Sequence, residues 1–237
     1  MSKYPRYAIY YAPRQASRLN RFGANLLGYD AFGGDVLPFP EEVIQAIPDW
    51  PELTADPRKY GFHATMKAPF ALAPGKTEPE LLAACAAFAA TPRAIPVIQP
   101  VVGSISGFIA VIPAEPPPEL IRLAADCVTE FDSFRASLTE ADRARRNPSR
   151  LTPAQRDHLD RWGYPYVMDD FRFHMTLTGR LGNERREGVL AMLRKRFSTL
   201  DLATLAIDRI AVFRQENATS RFRIVGEWEL RGTVPPM

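Results

Sequence analysis

Phe62-His63-Ala64-Thr65 and Phe173-His174-Met175-Thr176 are spelled alike, Phe-His-x-Thr, and between them hold two of the three histidines of this 237-residue chain. Each copy sits in an apolar stretch, GFHATMKAPFAL over 61–72 and FRFHMTLTGRL over 171–181. Such stretches read as strands, in which alternate side chains share a face. On the first, His63, Thr65 and Lys67 point one way and Phe62, Ala64 and Met66 point to a core. On the second, Arg172, His174, Thr176, Thr178 and Arg180 share a face opposite Phe171, Phe173, Met175 and Leu177. The apolar residues suffice for a strand and do not require His, Thr, Lys or Arg on the other side. Both polar faces lack carboxylates. They are built of donors and cations, a set that suits a phosphate or another oxyanion.

The element order around the motifs repeats. Residues 7–12 read as a strand and 17–27 as an amphipathic helix stopped by Gly28. Residues 30–58, rich in Pro, Gly and Asp, read as a long loop with a short helix near 40–47; such a loop is uncommon unless functional. After the first motif come a helix at 78–90 and strands at 94–102 and 107–113. Helices at 118–134 and 153–162 precede the second motif, the latter with Thr152 as N-cap, Pro153 at the first helical position and Gly163 as stop. A helix at 184–197 and strands at 202–214 and 221–230 follow. Each half thus runs motif strand, helix, strand, strand. This predicts an α+β fold, a single bilobal domain over 1–237. Its two pseudo-symmetric lobes fall near 1–115 and 116–237, with termini free to cross between them. Each lobe is an antiparallel sheet with helices packed outside, and the two enclose a central cleft.

Composition is that of an ordinary globular protein, 46% hydrophobic and 24% charged. The opening MSKYPRYAIYYAP has no apolar run of signal-peptide length, and no stretch approaches a membrane span, so the expectation is a cytoplasmic protein without membrane contact. Cys85 and Cys127 lie in apolar helical patterns and read as buried thiols. The net charge of +3 comes wholly from the second half. It fits a local anion site and does not demand a nucleic-acid groove. The cluster Arg143, Arg145 and Arg146 reads as a solvated helix end or loop ahead of a binding patch.

Phosphoester cleavage needs a base for the attacking oxygen and an acid for the leaving oxygen. Histidine, with a pKa near about 6.5, serves either role. Threonine hydroxyls can donate to nonbridging phosphate oxygens. The two histidines stand without clustered Asp, Glu or Cys, a poor metal spacing, and no cofactor is implied. The sequence contains no G-x-x-x-x-G-K-[ST], G-x-S-x-G or G-x-G-x-x-G loop.

With YGFHATMKAPF and FRFHMTLTG in view, the chain resembles the 2H phosphoesterase superfamily, defined by two His-x-[Thr/Ser] motifs in two pseudo-symmetric lobes, and within it a bacterial branch associated with phosphonate metabolism. The resemblance spans the whole chain. It implies that His63 and His174 act as general acid and base on a 2′,3′-cyclic or related phosphodiester, with Thr65 and Thr176 holding the phosphate; the leading reading is a phosphoesterase acting on a small sugar phosphate or nucleotide. Lys67, Arg172, Thr178 and Tyr60 join as substrate-binding candidates. Two other readings stand beside this one. The first is processing of RNA ends, including 2′–5′ ligation, which the modest charge disfavours. The second is a non-catalytic phosphate-ligand-binding protein, which two complete motifs disfavour. Tyr7, Tyr10 and Tyr11 read as aromatic packing ahead of lining the cleft, His158 as a solvated helix residue, Arg214 and Arg221–Arg223 as solvated hairpin ends ahead of reaching the phosphate, and Trp162, Tyr164 and Tyr166, with Pro165, as a wall or lid.

Overall fold

The structure, a computed structural model, describes residues 3–233. β1 (Arg6–Tyr11) leads into α1 (Arg18–Leu27), whose first turn is capped by the Ser17 hydroxyl and whose last turn is closed by Gly28 at φ +66°. A small hairpin, β2 (Tyr29–Asp30) and β3 (Asp35–Val36), is followed by α2 (Glu41–Ala46), α3 (Trp50–Leu53) and α4 (Ala55–Arg58). β4 (Ala64–Ala71) carries the first motif. α5 (Glu78–Ala90) begins at a Thr77/Glu80 capping box. β5 (Val97–Ile98), β6 (Pro100–Ile105) and β7 (Phe108–Pro113) come next. Ser106 and Gly107 join the last two, both at positive φ, which suits a tight two-residue hairpin. Then come α6 (Pro118–Glu130), α7 (Glu140–Ala144) and α8 (Pro153–Trp162), the last opened by a Thr152/Gln155 capping box and closed by Gly163. β8 (Met175–Thr176), α9 (Asn183–Ser198), β9 (Leu205–Ala206), β10 (Arg209–Gln215) and β11 (Arg223–Glu229) complete the chain.

Seven strands form one antiparallel sheet in the order β11-β10-β1-β4-β8-β7-β6, with the motif strands paired to each other at its centre. Alternation divides the two faces. Tyr7, Ile9, Tyr11, Ala64, Met66, Met175, Ile210 and Val212 enter the main core, which α1, α5, α6 and α9 cover with residues such as Leu26, Leu81, Leu123 and Leu193. Ala8, Tyr10, Ala211 and Phe213 turn to the other face, where only a small cluster with Tyr29, Ala31 and Phe222 covers them. The fold is therefore α+β, a large antiparallel sheet with helices.

The duplicated element order is visible in the sheet, with strands crossing between its two halves. β1, α1, β4, α5, β5 and β6 correspond in order to β7, α6, β8, α9, β9 and β10. The last strand of each unit is exchanged: β6 pairs with β7 of the second unit, and β10 with β1 of the first. The short strands β5 and β9 pair with each other. The Ser106-Gly107 turn joins the two units. A hairpin two residues long forces β6 onto β7, whatever repeat each belongs to.

The 30–58 stretch is built rather than open. Trp50 is fully buried, its indole N–H donating to the Leu26 carbonyl at 2.8 Å, and Arg58 donates to the Leu27 and Pro51 carbonyls. Four-residue helices in a Pro-rich stretch leave no periodicity to read. The second motif strand is shorter than 171–181. Beyond Thr176 the amides of Leu177 and Thr178 both turn to the Ile109 carbonyl, Gly179 donates to Leu53 and Leu181 to Gly107, so the chain stays anchored without a regular ladder.

Candidate active site

The pairing of Ala64 with Met175 decides the site. Both side chains are wholly buried in the main core. Their neighbours therefore face the other way, and the antiparallel register sets His63 across from Thr176 and Thr65 across from His174. Opposite residues in such a ladder have Cβ atoms about 4.5–5.5 Å apart and diagonal ones about 7–8 Å. The two histidines occupy one diagonal and the two threonines the other. All four are partly exposed.

Each histidine is held in the same way. His63 Nδ1 lies 2.9 Å from the Gly61 carbonyl, and His174 Nδ1 lies 2.7 Å from the Arg172 carbonyl. A carbonyl only accepts, so Nδ1 carries the proton and Nε2 of the neutral ring is left with its lone pair. Thr65 Oγ1 is 3.4 Å from His63 Nε2. Gly61 makes its carbonyl available by taking φ +76°, and a Cβ there would stand 2.7 Å from the Ala31 Cβ, so both conformation and space call for glycine. Phe62 anchors the motif from behind, its ring pressed against Gly23 of α1.

The environments differ. Tyr10 is buried beneath His63 and stacks on it with centroids 3.9 Å apart, and Phe213 lies 5.8 Å away. Burial pushes the His63 pKa down to about 4, with the Gly61 hydrogen bond opposing and His174 adding a smaller downward push. His174 is also lowered by burial, against its bond to the Arg172 carbonyl. Its aromatic neighbour is Phe108, tilted at 5.4 Å.

The remaining candidates separate. Arg172 and Arg180 are exposed and line a cavity beside His174 and Thr65. Tyr60 is partly buried, stacked on Phe222 and 6.0 Å from the His63 ring. Lys67 does not stand with His63 and Thr65. A bulge against β1, where Tyr10 pairs with Thr65 and Ile9 with Lys67, breaks the alternation. Its side chain is 3% exposed, and the ammonium donates to the Val128 carbonyl and the Asp132 carboxylate at 2.8 and 3.1 Å. Burial lowers its pKa to about 8, with Asp132 opposing. Thr178 is fully buried, and its hydroxyl donates to the Gly179 carbonyl while accepting from the Ile109 amide, so it is spent on the backbone. Arg214 pairs with Glu78 and Glu216, and His158 sits 3.5 Å from Asp170, a carboxylate that lines the cavity beside His174.

Two cavities lie beside the motif strands. One, about 330 Å³, is lined by Thr65, His174, Phe108, Tyr166, Arg172 and Arg180 among others. The second, about 240 Å³, is lined by Arg6, Tyr60, Lys67, Arg135 and Arg146 among others. Tyr164 and Val167 line both, which makes the segment after α8 the wall between them. Among the described residues no group of three or more His, Cys, Asp and Glu could hold a metal ion, and no helix is long and apolar enough to cross a membrane.

Residues 65–223 match the family described as "Protein of unknown function (DUF1045)". The chain belongs to the DUF1045 family. Two relatives carry the name "Ribose 1,5-bisphosphate phosphokinase PhnN". That of Janthinobacterium sp. (strain Marseille) is 39% identical over 235 residues, and that of Laribacter hongkongensis (strain HLHK9) is 30% identical over 227. The matches cover 94% and 92% of this chain and 50% of each relative, so the DUF1045 chain spans about half the length of the curated relatives it matches. Among solved structures, E. coli LigT complexed with 3′-AMP is similar at 13% identity and a TM-score of 0.47, covering 96% of this chain and 99% of that one.

Phe108 is the ring neighbour of His174 that strand-by-strand reading does not find, and Tyr10, open there to packing or to the cleft, is the ring neighbour of His63. Tyr10 reaches His63 because β1 pairs with β4, and Phe108 reaches His174 because β7 pairs with β8. Neither pairing is written in the local sequence.

Proposed function

We propose that this protein is a phosphoesterase of the two-histidine type, in phosphonate metabolism, acting on a cyclic phosphodiester of a small phosphorylated sugar or nucleotide. The observation that carries this reading is the diagonal of His63 and His174, each with Nδ1 tied to a carbonyl and Nε2 toward the face it shares with Thr65 and Thr176. One imidazole Nε2 takes a proton from water as the water oxygen bonds to phosphorus. The bond from phosphorus to the leaving oxygen breaks, and the other histidine, protonated, gives that oxygen its proton. The threonine hydroxyls donate to the nonbridging oxygens, where charge grows. Burial of His63 against Tyr10 favours its neutral ring, the form a base needs, which leaves the acid's role to His174. The names of the relatives concern a phosphorylated ribose, which is the substrate class to try first; the kinase activity in those names belongs to proteins about twice as long.

The test is a panel of 1,2- and 2′,3′-cyclic phosphates of ribose, ribose 5-phosphate and nucleosides, assayed in excess EDTA. Turnover of at least one member is expected, with H63A and H174A each losing a factor of roughly 10²–10⁴ while melting as the parent does. Full turnover by either variant defeats the two-histidine mechanism.

A further inference from the structure

The smaller cavity is more basic than a solvated surface needs to be. Its lining brings together Lys3, Arg6, Lys67, Arg135, Arg145 and Arg146 from the N-terminus, β4 and the segment 135–146, while Asp142 is the carboxylate it contains. Some of this charge is answered. Lys67 and Arg135 share Asp132, and Arg145 pairs with Asp142. Two guanidiniums are instead held in place by neutral groups. Arg6 donates through Nε to the Gln215 Oε1 at 3.0 Å and lies 5.6 Å from the Phe222 ring centroid. Arg146 lies 4.9 Å from the ring centroid of Tyr164. Among the described residues neither makes a salt bridge. Orientation by neutral groups leaves the positive charge uncompensated and the planar donors preorganised, the arrangement that binds a phosphoryl group through paired N–H donors.

The cavity adjoins the motif face. Tyr60, in its lining, is 6.0 Å from the His63 ring, and Tyr164 is common to both cavities. Phe222, which Arg6 faces, lies 6.3 Å from Tyr10, the residue stacked beneath His63. A group bound among the arginines is therefore within one small molecule's reach of the histidines. Resting on the reading of that face as a phosphodiester site, we infer that the basic cavity is a second anion site, and that the substrate carries a further phosphoryl group besides the one that reacts.

The probes are adenosine 3′-monophosphate and adenosine 3′,5′-bisphosphate, titrated calorimetrically into the full chain with EDTA present. The bisphosphate is expected to bind roughly ten- to a hundredfold more tightly, a charge-assisted contact's worth, and this preference shrinks as salt is raised. R6Q and R146Q, made separately, each reduce the preference and leave the monophosphate affinity unchanged. Equal affinities for the two probes overturn the inference, as does a preference that survives both substitutions. A parallel H174A titration separates the two readings. If it weakens neither probe while R6Q and R146Q still erase the preference, the anion site stands and the catalytic reading of the motif face fails.

Discussion

The two Phe-His-x-Thr motifs are alike within four residues and unlike beyond them. In both, the ring is locked by Nδ1 to the carbonyl two residues back, and in both the apolar partners enter the same core. The first belongs to an eight-residue strand, stacked on a buried tyrosine and bulged so that Lys67 turns to the end of α6. The second is a two-residue strand beside Phe108, and its continuation is tied to the backbone of β7 and α3. A short motif can copy a donor and its hydrogen bond, because both are local. It cannot copy what packs behind it, because that comes from other strands.

The largest expected effect tests the likeness. If the histidines act as one unit, H63A/H174A loses little more activity than either single change, because losses within a unit do not add. Additive losses in kcat/KM would mean two independent sites. T65V and T176V sharpen the comparison at the next level. Each is expected to lower kcat by roughly 10–10² while leaving stability within about 1 kcal/mol, and by similar factors if the diagonal is symmetric. Thermal melts and steady-state kinetics on the same preparations decide it.

Smaller effects follow from the unlike surroundings. T178V removes a hydroxyl that serves the Ile109 amide and the Gly179 carbonyl and is expected to cost about 1–3 kcal/mol in denaturant unfolding, with kcat little changed. A large loss of kcat at full stability would return Thr178 to the substrate. The smallest effect concerns pH. His63 is held neutral in the folded protein down to about 4, whereas in the unfolded chain it titrates near about 6.5. Between those values the unfolded state binds more protons, so stability rises with pH through that window and is lost as pH falls. H63Q is expected to flatten that slope more than H174Q. An equal effect from both would show that Tyr10 stacking does not distinguish the rings.

Much of the site was legible because its signals are local. The doubled motif, the alternation of Phe62, Ala64 and Met66 against His63 and Thr65, and the caps at Thr152 and Gly163 all lie within a few residues of what they control. The same alternation predicts Lys67 and Thr178 on the polar face. It fails at each for a reason outside the strand: a bulge set by pairing with β1, and a carbonyl of β7 that draws two amides at once. Arg146, read as a solvated helix end, lines the basic cavity because the 135–170 segment folds back along β4, where Ala136 donates to Ala71.

By itself the sequence determined the pieces: strands with one donor-rich face, helices with their stops, and a pair of histidines suited to oxyanion chemistry. The tertiary structure alone decided that the motif strands lie side by side, that β6 and β10 are exchanged between repeats, and that two cavities meet at Tyr164. The reason is physical. Side-chain alternation and capping are properties of a few neighbouring residues, whereas strand order and cavity lining depend on which distant surfaces bury one another.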